Sequence, residues 1–338
     1  MNRNIAHCSV SRALEIVADP WTFLVLREAW FGVKRFDIFR QNLGMPRGTL
    51  TTRLQHLVSQ GMLERTAYQA KPTRFEYKLS RKAADLYPSM LVMMRWGDKW
   101  LSEKNEPPLL LKHKTCGHSC HAQVVCSECN DEIMISDVTY RPGPGAGFSN
   151  REPLHSMRRS SKPENFWKLR ECSVARTMTV IGDRWTYLIM REAFFGAHRF
   201  HDVHNNLGIS TNILSHRLNR LLNSGIFEQR VYSESPQRSE YRFTQKGREL
   251  YGIMISLMHW GDKWLASTKG PPLRLHHTTC DTDFSARIVC SHCKEKIEMH
   301  EMSYKTTTGC RINHLSGLSD DQTKHELFQH NENTQSTP

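Results

Sequence analysis

The chain has 338 residues, of which 38% are hydrophobic, and it carries a formal net charge of +12 at pH 7. Its length is about twice that of an ordinary domain of roughly 150 residues, and the cationic excess favours a polyanionic partner such as nucleic acid. No apolar run reaches the roughly 18 to 20 residues of a membrane span, and residues 1–4 lack the apolar core of a secretion signal, so we expect a cytoplasmic, reducing compartment.

A long internal repeat organises the sequence. The stretch from Cys8 to Cys129 recurs as Cys172 to Cys293, at a constant offset of 164 residues, the difference between Cys172 and Cys8. The pentapeptide Trp-Gly-Asp-Lys-Trp, for example, occupies 96–100 and again 260–264. Features that both copies keep indicate shared structure or chemistry, whereas features that differ indicate specificity.

Four helices are predicted at the start of each copy. In the first copy, apolar residues at helical spacing predict one helix from Val10 to Val17. The cap Asp19-Pro20 and the stop at Gly32 predict a second over 21–31. A third is expected over 36–43, and a fourth over 46–61, with its leucines facing inward. Two short helices joined by a tight turn are typical of a helix-turn-helix.

A β-hairpin and a long helix complete each unit. Residues 63–68 and 74–79 are β-prone and flank a polar tip, which predicts the hairpin. Apolar residues from Leu86 to Trp100 then mark one face of a helix of about 20 residues. We therefore expect a mainly α fold with small β-hairpin wings (α+β), arranged as two tandem winged-helix domains, each followed by a small Cys/His-containing β segment.

The motifs of both copies resemble the HxlR-type winged-helix transcriptional regulators. They are Cys-Ser-Val-x-Arg, Asp-x-Trp-Thr, Arg-Glu-Ala-x-Phe-Gly, Arg-Phe, Arg-Leu, Glu-Tyr-x-x-Ser/Thr and Trp-Gly-Asp-Lys-Trp. The resemblance covers about 100 residues of each copy. It implies double-stranded DNA as the partner and pairing through the terminal helices. With two copies in one chain, an intramolecular pseudo-dimer and a homodimer both remain open.

A recognition helix places exposed side chains near its N-terminus against base edges in the major groove. These positions differ between the copies, so we predict two non-identical half-sites, contacted by the helices 46–61 and 210–225. The alternatives are a helix that only completes a core and wing charges that are only solvated. The predicted DNA-binding residues are Arg47, Thr51, Thr52, Gln55, Thr211, Asn212, Ser215, His216 and Asn219 on the helices, with Lys71, Arg74 and Arg238 on the wings.

The same arrangement of metal-binding residue types occurs in both copies. His-x-x-Cys is followed, after nine residues, by Cys-x-x-Cys. Three thiolates and an imidazole suit structural zinc, so we expect up to two ions per chain, each bound within one copy. Cys120 is an alternative ligand to His113, and buried thiols in small hairpins are the alternative to metal. The predicted ligands are His113, Cys116, Cys126 and Cys129, then His277, Cys280, Cys290 and Cys293.

Cys8 and Cys172 each directly precede a helix, whose amide dipoles can stabilise a thiolate. The family resemblance implies that such a cysteine can sense oxidants or electrophiles, so an oxidant or small-molecule effector is an open hypothesis. A small buried residue without reactivity is the alternative.

The predicted organisation is a winged helix (8–105), a Cys/His segment (106–140), a linker (141–166), a second winged helix (172–269), a second Cys/His segment (270–305) and a polar tail (306–338) expected to be disordered. We predict a non-enzymatic, sequence-specific transcriptional regulator of the nucleoid. A zinc-bearing adaptor for protein or RNA is the second hypothesis. A thiol oxidoreductase ranks last, since no cofactor motif or nucleophile-base set is identifiable.

Overall fold

The computed structural model describes residues 5–6, 8–102, 107–149, 172–234 and 237–307. The helices of the first copy are α1 (Ser9–Val17), α2 (Pro20–Trp30), α3 (Phe36–Leu43), α4 (Arg47–Ser59), α5 (Arg81–Ala84) and α6 (Tyr87–Leu101). Its strands are β1 (Ile5–Ala6), β2 (Leu63–Ala70), β3 (Thr73–Leu79), β4 (Leu109–His113), β5 (Ser119–Cys120), β6 (Ala122–Cys126), β7 (Val138–Pro142) and β8 (Phe148–Ser149). Across the described residues no helix combines the length and apolarity needed to cross a membrane.

The second copy repeats this order. Its helices are α7 (Ser173–Ile181), α8 (Arg184–Phe194), α9 (Phe200–Leu207), α10 (Thr211–Asn223), α11 (Gln245–Arg248) and α12 (Tyr251–Leu265). Its strands are β9 (Phe227–Glu234), β10 (Gln237–Phe243), β11 (Leu273–His277), β12 (Thr282–Phe284), β13 (Ala286–Cys290) and β14 (Met302–Thr306). The mainly α, winged-helix fold class predicted from the sequence is confirmed in both copies.

Local sequence signals explain where the helices of each winged helix begin and end. The Thr22 amide donates to the Asp19 carboxylate over 2.9 Å, which caps α2, and Pro20 occupies its first turn. Gly44 has a φ of 59°, a left-handed conformation that suits glycine and ends α3 before the recognition helix begins. The same two devices recur at Asp183 and Gly208 in the second copy.

The end of each winged helix differs from the prediction. The single helix of about 20 residues is divided into α5 and the 15-residue α6, because Ser80 caps a separate short helix and the α6 helix begins only at Tyr87. Pro88 is tolerated there because first-turn amides have no partner within a helix. The wing strands are longer than predicted and reach Ala70 and Thr73.

The two copies pack against each other through their terminal helices, α1 on α12 and α7 on α6. These helices cross closely, since a Cβ on Gly97 would overlap the Ser173 carbonyl oxygen and one on Gly261 would overlap that of Ser9. The Trp96 indole donates to the Lys246 carbonyl across the interface over 3.0 Å. The repeated Trp-Gly-Asp-Lys-Trp pentapeptide therefore forms much of the surface between the copies.

Each winged helix is followed by its Cys/His β segment, and the two segments exchange strands. β4 of the first copy pairs with β14 of the second, β7 pairs with β11, and β6 pairs with β13, all antiparallel. Neither segment is therefore a separate unit, and each completes its sheets with strands from the other.

The predicted linker starts later than the sequence indicated. Arg141 and Pro142 end β7, where they pair with Arg274 and Leu273, so they are not linker residues. The glycines and prolines that follow them in the sequence indicated a linker rather than a strand. The β8 strand at 148–149 pairs with β1. Thr306, predicted as the first tail residue, ends β14. The rest of the predicted linker (150–166) and tail (308–338) lies outside the described residues.

Candidate nucleic-acid interface and metal sites

The recognition helices α4 and α10 each present one apolar face to the core and one polar face to solvent. Leu50, Leu54 and Leu57 of α4 are fully buried, and their counterparts in α10 are equally buried. Arg47, Thr52 and Gln55 are exposed, while Thr51 is half-buried with its hydroxyl donating to the Arg47 carbonyl over 2.9 Å. All five positions predicted on α10 are exposed, namely Thr211, Asn212, Ser215, His216 and Asn219.

A shared arginine anchors each recognition helix. Arg53 is 4% exposed, and its Nε lies 2.9 Å from Asp19 Oδ1. Arg217 makes the same ion pair with Asp183, at 3.0 Å. Since Asp19 also caps α2 and Asp183 caps α8, one carboxylate in each copy joins the start of that helix to the recognition helix. The arginine that both copies keep is therefore structural.

The wings extend the exposed polar face. The cations predicted at the tips, Lys71, Arg74 and Arg238, are all exposed. Sequence reasoning missed two further exposed cations beside the wings. The Arg35 guanidinium lies 5.0 Å from the Tyr68 ring centroid, and the Arg199 guanidinium lies 4.5 Å from that of Tyr232. The repeated Arg-Phe dipeptide was the available signal for them.

The predicted metal ligands come together, but their grouping differs from the prediction. Among the described residues, all ligand atoms within each of two sets of four lie within 4.8 Å of one another. The first Cys/His set is His113, Cys116, Cys290 and Cys293. The second Cys/His set is Cys126, Cys129, His277 and Cys280. Each takes His-x-x-Cys from one copy and Cys-x-x-Cys from the other, so the expected grouping within a copy was wrong.

The distances within both sets suit a tetrahedral ion. The sulfurs of Cys126 and Cys280 lie 3.9 Å apart, close to the ~3.8 Å edge implied by Zn–S bonds of about 2.3 Å. His277 Nδ1 lies 3.4 Å from the Cys129 sulfur, and His113 Nδ1 lies 3.3 Å from that of Cys293. Both imidazoles therefore direct the same nitrogen at the thiols.

Each Cys/His set combines two buried residues with two half-buried ones. His113 and His277 are 0% exposed, and the far nitrogen of His113 lies 3.6 Å from Glu301 Oε2. A hydrogen bond from the His118 amide lowers the pKa of Cys116 to about 6. Cys120, the alternative ligand, lies outside both sets, and burial raises its pKa to about 12.

Cys8 and Cys172 lie at the N-caps of α1 and α7, as predicted, and each faces an arginine of the other copy. The Arg27 guanidinium donates to the Cys172 sulfur over 3.0 Å, and Arg191 hydrogen-bonds Cys8 in the same way. Cys8 is buried and Cys172 half-buried. Both thiols thus lie within the interface between the copies.

Comparisons with known proteins agree with this geometry. The HxlR-like helix-turn-helix family model matches residues 16–105 and 180–269, together more than half of the chain. An uncharacterized HTH-type transcriptional regulator of Mycobacterium tuberculosis is 46% identical over 137 residues, 40% of this chain and 87% of that protein. One from Synechocystis is 35% identical over 95 residues, 28% of this chain and 70% of that protein.

One solved structure, of the candidate transcription factor PA1607, is 32% identical to this chain and has a TM-score of 0.28. The match covers 39% of this chain and 84% of that one. The family match falls on the two winged helices, since both matched ranges run from the end of the first helix of a copy to just beyond its terminal helix. The chain thus belongs to the HxlR-like helix-turn-helix family and carries the family's domain twice.

Proposed function

We propose that the protein is a sequence-specific, double-stranded DNA-binding transcriptional regulator that contacts two non-identical half-sites. The observation that carries this proposal is the contrast between the two faces of α4 and α10. Their buried leucines match, whereas the exposed or half-buried residues near their N-termini differ at every predicted contact position. A shared inner face maintains one fold, and unlike outer faces present different donors and acceptors to the major groove.

The functional unit that we propose is one chain acting as an intramolecular pseudo-dimer. The contacts of α1 with α12 and of α6 with α7 support it, because they join the two copies through the terminal helices. Two domains in pseudo-twofold arrangement bind an imperfect palindrome, with half-site centres about one helical turn or more apart. Such a regulator acts by binding rather than catalysis, in the cytoplasm and at the nucleoid.

Selection of bound duplexes from a random DNA library tests this function with the full chain. We expect two unlike half-sites at a fixed spacing, with at least about 10³-fold preference over random DNA at physiological salt. Binding to structured RNA or protein without duplex preference would favour the adaptor hypothesis instead.

A helix-face exchange sharpens the test. The second recognition helix receives the outer face of the first through five substitutions, Thr211→Arg, Asn212→Gly, Ser215→Thr, His216→Thr and Asn219→Gln. The selected site should then become a symmetric palindrome of the first half-site. The reciprocal exchange in α4 is the matched control and should yield a palindrome of the second half-site. Unchanged sites in both variants would contradict the assignment of these helices.

Zinc is the metal that we propose for the two Cys/His sets. Three sulfurs and one imidazole nitrogen form a donor set that zinc favours, and the distances between donors match tetrahedral coordination. The role would be structural, because four protein donors leave no open position for substrate. Metal analysis of purified protein should give about two zinc ions per chain.

A further inference from the structure

We infer that each zinc ion is bound by both copies at once, so that the two ions are crosslinks within the pseudo-dimer. This inference rests on the proposed zinc binding and goes beyond it. The first Cys/His set joins His113 and Cys116 to Cys290 and Cys293, which lie in the other half of the chain. The second Cys/His set makes the reciprocal connection.

The strand pairing places the ligands in this arrangement. His113 ends β4 and is paired with Met302 of β14, which holds the first copy's His-x-x-Cys turn beside the second copy. His277 ends β11 and is paired with Val138 of β7, which does the same in the opposite direction. Cys126 and Cys290 end β6 and β13, which pair antiparallel, so their Cys-x-x-Cys turns lie at opposite ends of one ribbon.

Contacts outside the ligands fix the same geometry. The Lys114 amide donates to the Glu301 carbonyl, and the Thr278 amide donates to the Asp137 carbonyl, each over 2.8 Å and each between copies. Thus the residue after each ligand histidine is bound to the other copy. A grouping within one copy would require both of these hydrogen bonds and the exchanged strands to be broken.

The consequence is that metal binding requires both copies, and neither copy alone provides a complete set of four ligands. One ion cannot acquire its four ligands until both halves of the chain are folded against each other. Each ion then ties a turn of one copy to a turn of the other, next to the paired terminal helices.

Two full-length variants, each with four ligand changes, distinguish shared from separate sites. The across-copy variant carries His113→Ala, Cys116→Ser, Cys290→Ser and Cys293→Ser, which removes the first Cys/His set and leaves the second complete. The within-copy variant carries His113→Ala, Cys116→Ser, Cys126→Ser and Cys129→Ser, which removes half of each set. Zinc per chain is measured after purification, and circular dichroism checks that each variant is folded.

Shared sites predict one zinc ion per chain in the across-copy variant and none in the within-copy variant. Separate sites predict the reverse, none in the first and one in the second, and that result would overturn the inference. Wild-type protein free of zinc would instead refute the zinc proposal itself, while leaving the DNA selection experiment unaffected.

Anomalous scattering at the zinc edge from wild-type crystals provides a second measurement that needs no variant. A peak about 2.3 Å from the sulfurs of both Cys116 and Cys293 supports sharing. A peak that joins Cys116 to Cys126 and Cys129 contradicts it, even if the variants fail to fold.

Discussion

Asp98 and Asp262 are half-buried carboxylic acids in the interface between the copies. Each accepts a hydrogen bond from a serine hydroxyl at the start of the other copy's first helix, Ser173 for Asp98 and Ser9 for Asp262. Burial raises the pKa of both to about 6, from 3.8, although these hydrogen bonds oppose the shift. The interface therefore favours the protonated acid, and ionisation of either aspartate destabilises the folded protein.

The variant Asp98→Asn should raise the free energy of unfolding at pH 8 by about 1 to 3 kcal/mol. The folded pKa lies above the unfolded one, so the wild-type chain loses stability as pH rises through the window from about 3.8 to 6. The amide does not ionise, and its advantage should shrink as pH falls towards 4. Urea denaturation at pH 4, 5 and 8 measures this, with the exposed Glu64→Gln as control. An advantage independent of pH would contradict the raised pKa of Asp98.

At the scale of elements, the crossing of α12 over α1 depends on a glycine. The variant Gly261→Ala should destabilise the protein by about 1 to 3 kcal/mol, because the new methyl group overlaps the Ser9 carbonyl oxygen. Gly252→Ala in the same helix is the matched control. Its Cβ would meet Val124 at an ordinary 3.5 Å, so the variant should be neutral or gain up to about 1 kcal/mol. Thermal denaturation compares the two, and equal losses would refute the close crossing.

The recognition helix and the wing should differ in how they contribute to DNA affinity. Asn212→Ala should cost about 1 to 3 kcal/mol at particular bases of the second half-site, because Asn212 is exposed and we propose that its amide contacts base edges. Lys71→Ala should weaken binding to all sequences alike and reduce the salt slope by about 1, since a wing-tip cation neutralises phosphate. Titrations of matched and mismatched duplexes at several salt concentrations separate these effects. Identical behaviour of the two variants would count against the assignment.

The elements were largely predictable because their signals are local. Asp19-Pro20 specifies the start of α2, Gly44 the end of α3, and the leucine spacing the inner face of α4. The residue types of the two Cys/His sets also identified them as candidate metal ligands. How these residues group into two sets could not be predicted. Both copies have the same spacing, so a set within one copy and a set across the copies contain the same residue types. Only the strand pairing, which depends on contacts remote in sequence, decides between them.

For the whole molecule, we expect metal and fold to be strongly coupled. Chelation should lower the Tm by roughly 10 °C, if each ion contributes about 4 kcal/mol and unfolding entropy is about 2 cal/mol/K per residue. Excess zinc should restore the wild-type Tm. Because sheets and Cys/His sets are both shared, calorimetry of the zinc-loaded chain should show one transition. The within-copy variant is the control and should not respond to the chelator. Two independent transitions would argue against a shared body.

The pairing of β4 with β14 constrains how the chain matures during synthesis. When Leu109–His113 has left the ribosome, the whole second winged helix must still be translated. Only then can Met302–Thr306 emerge and pair with the free edge of β4. At about 5 to 20 residues per second this delay is roughly 10 to 40 s. For that interval the nascent first half presents uncovered β edges and unligated thiols. Its folding therefore depends on protection from aggregation until the last strand is synthesised.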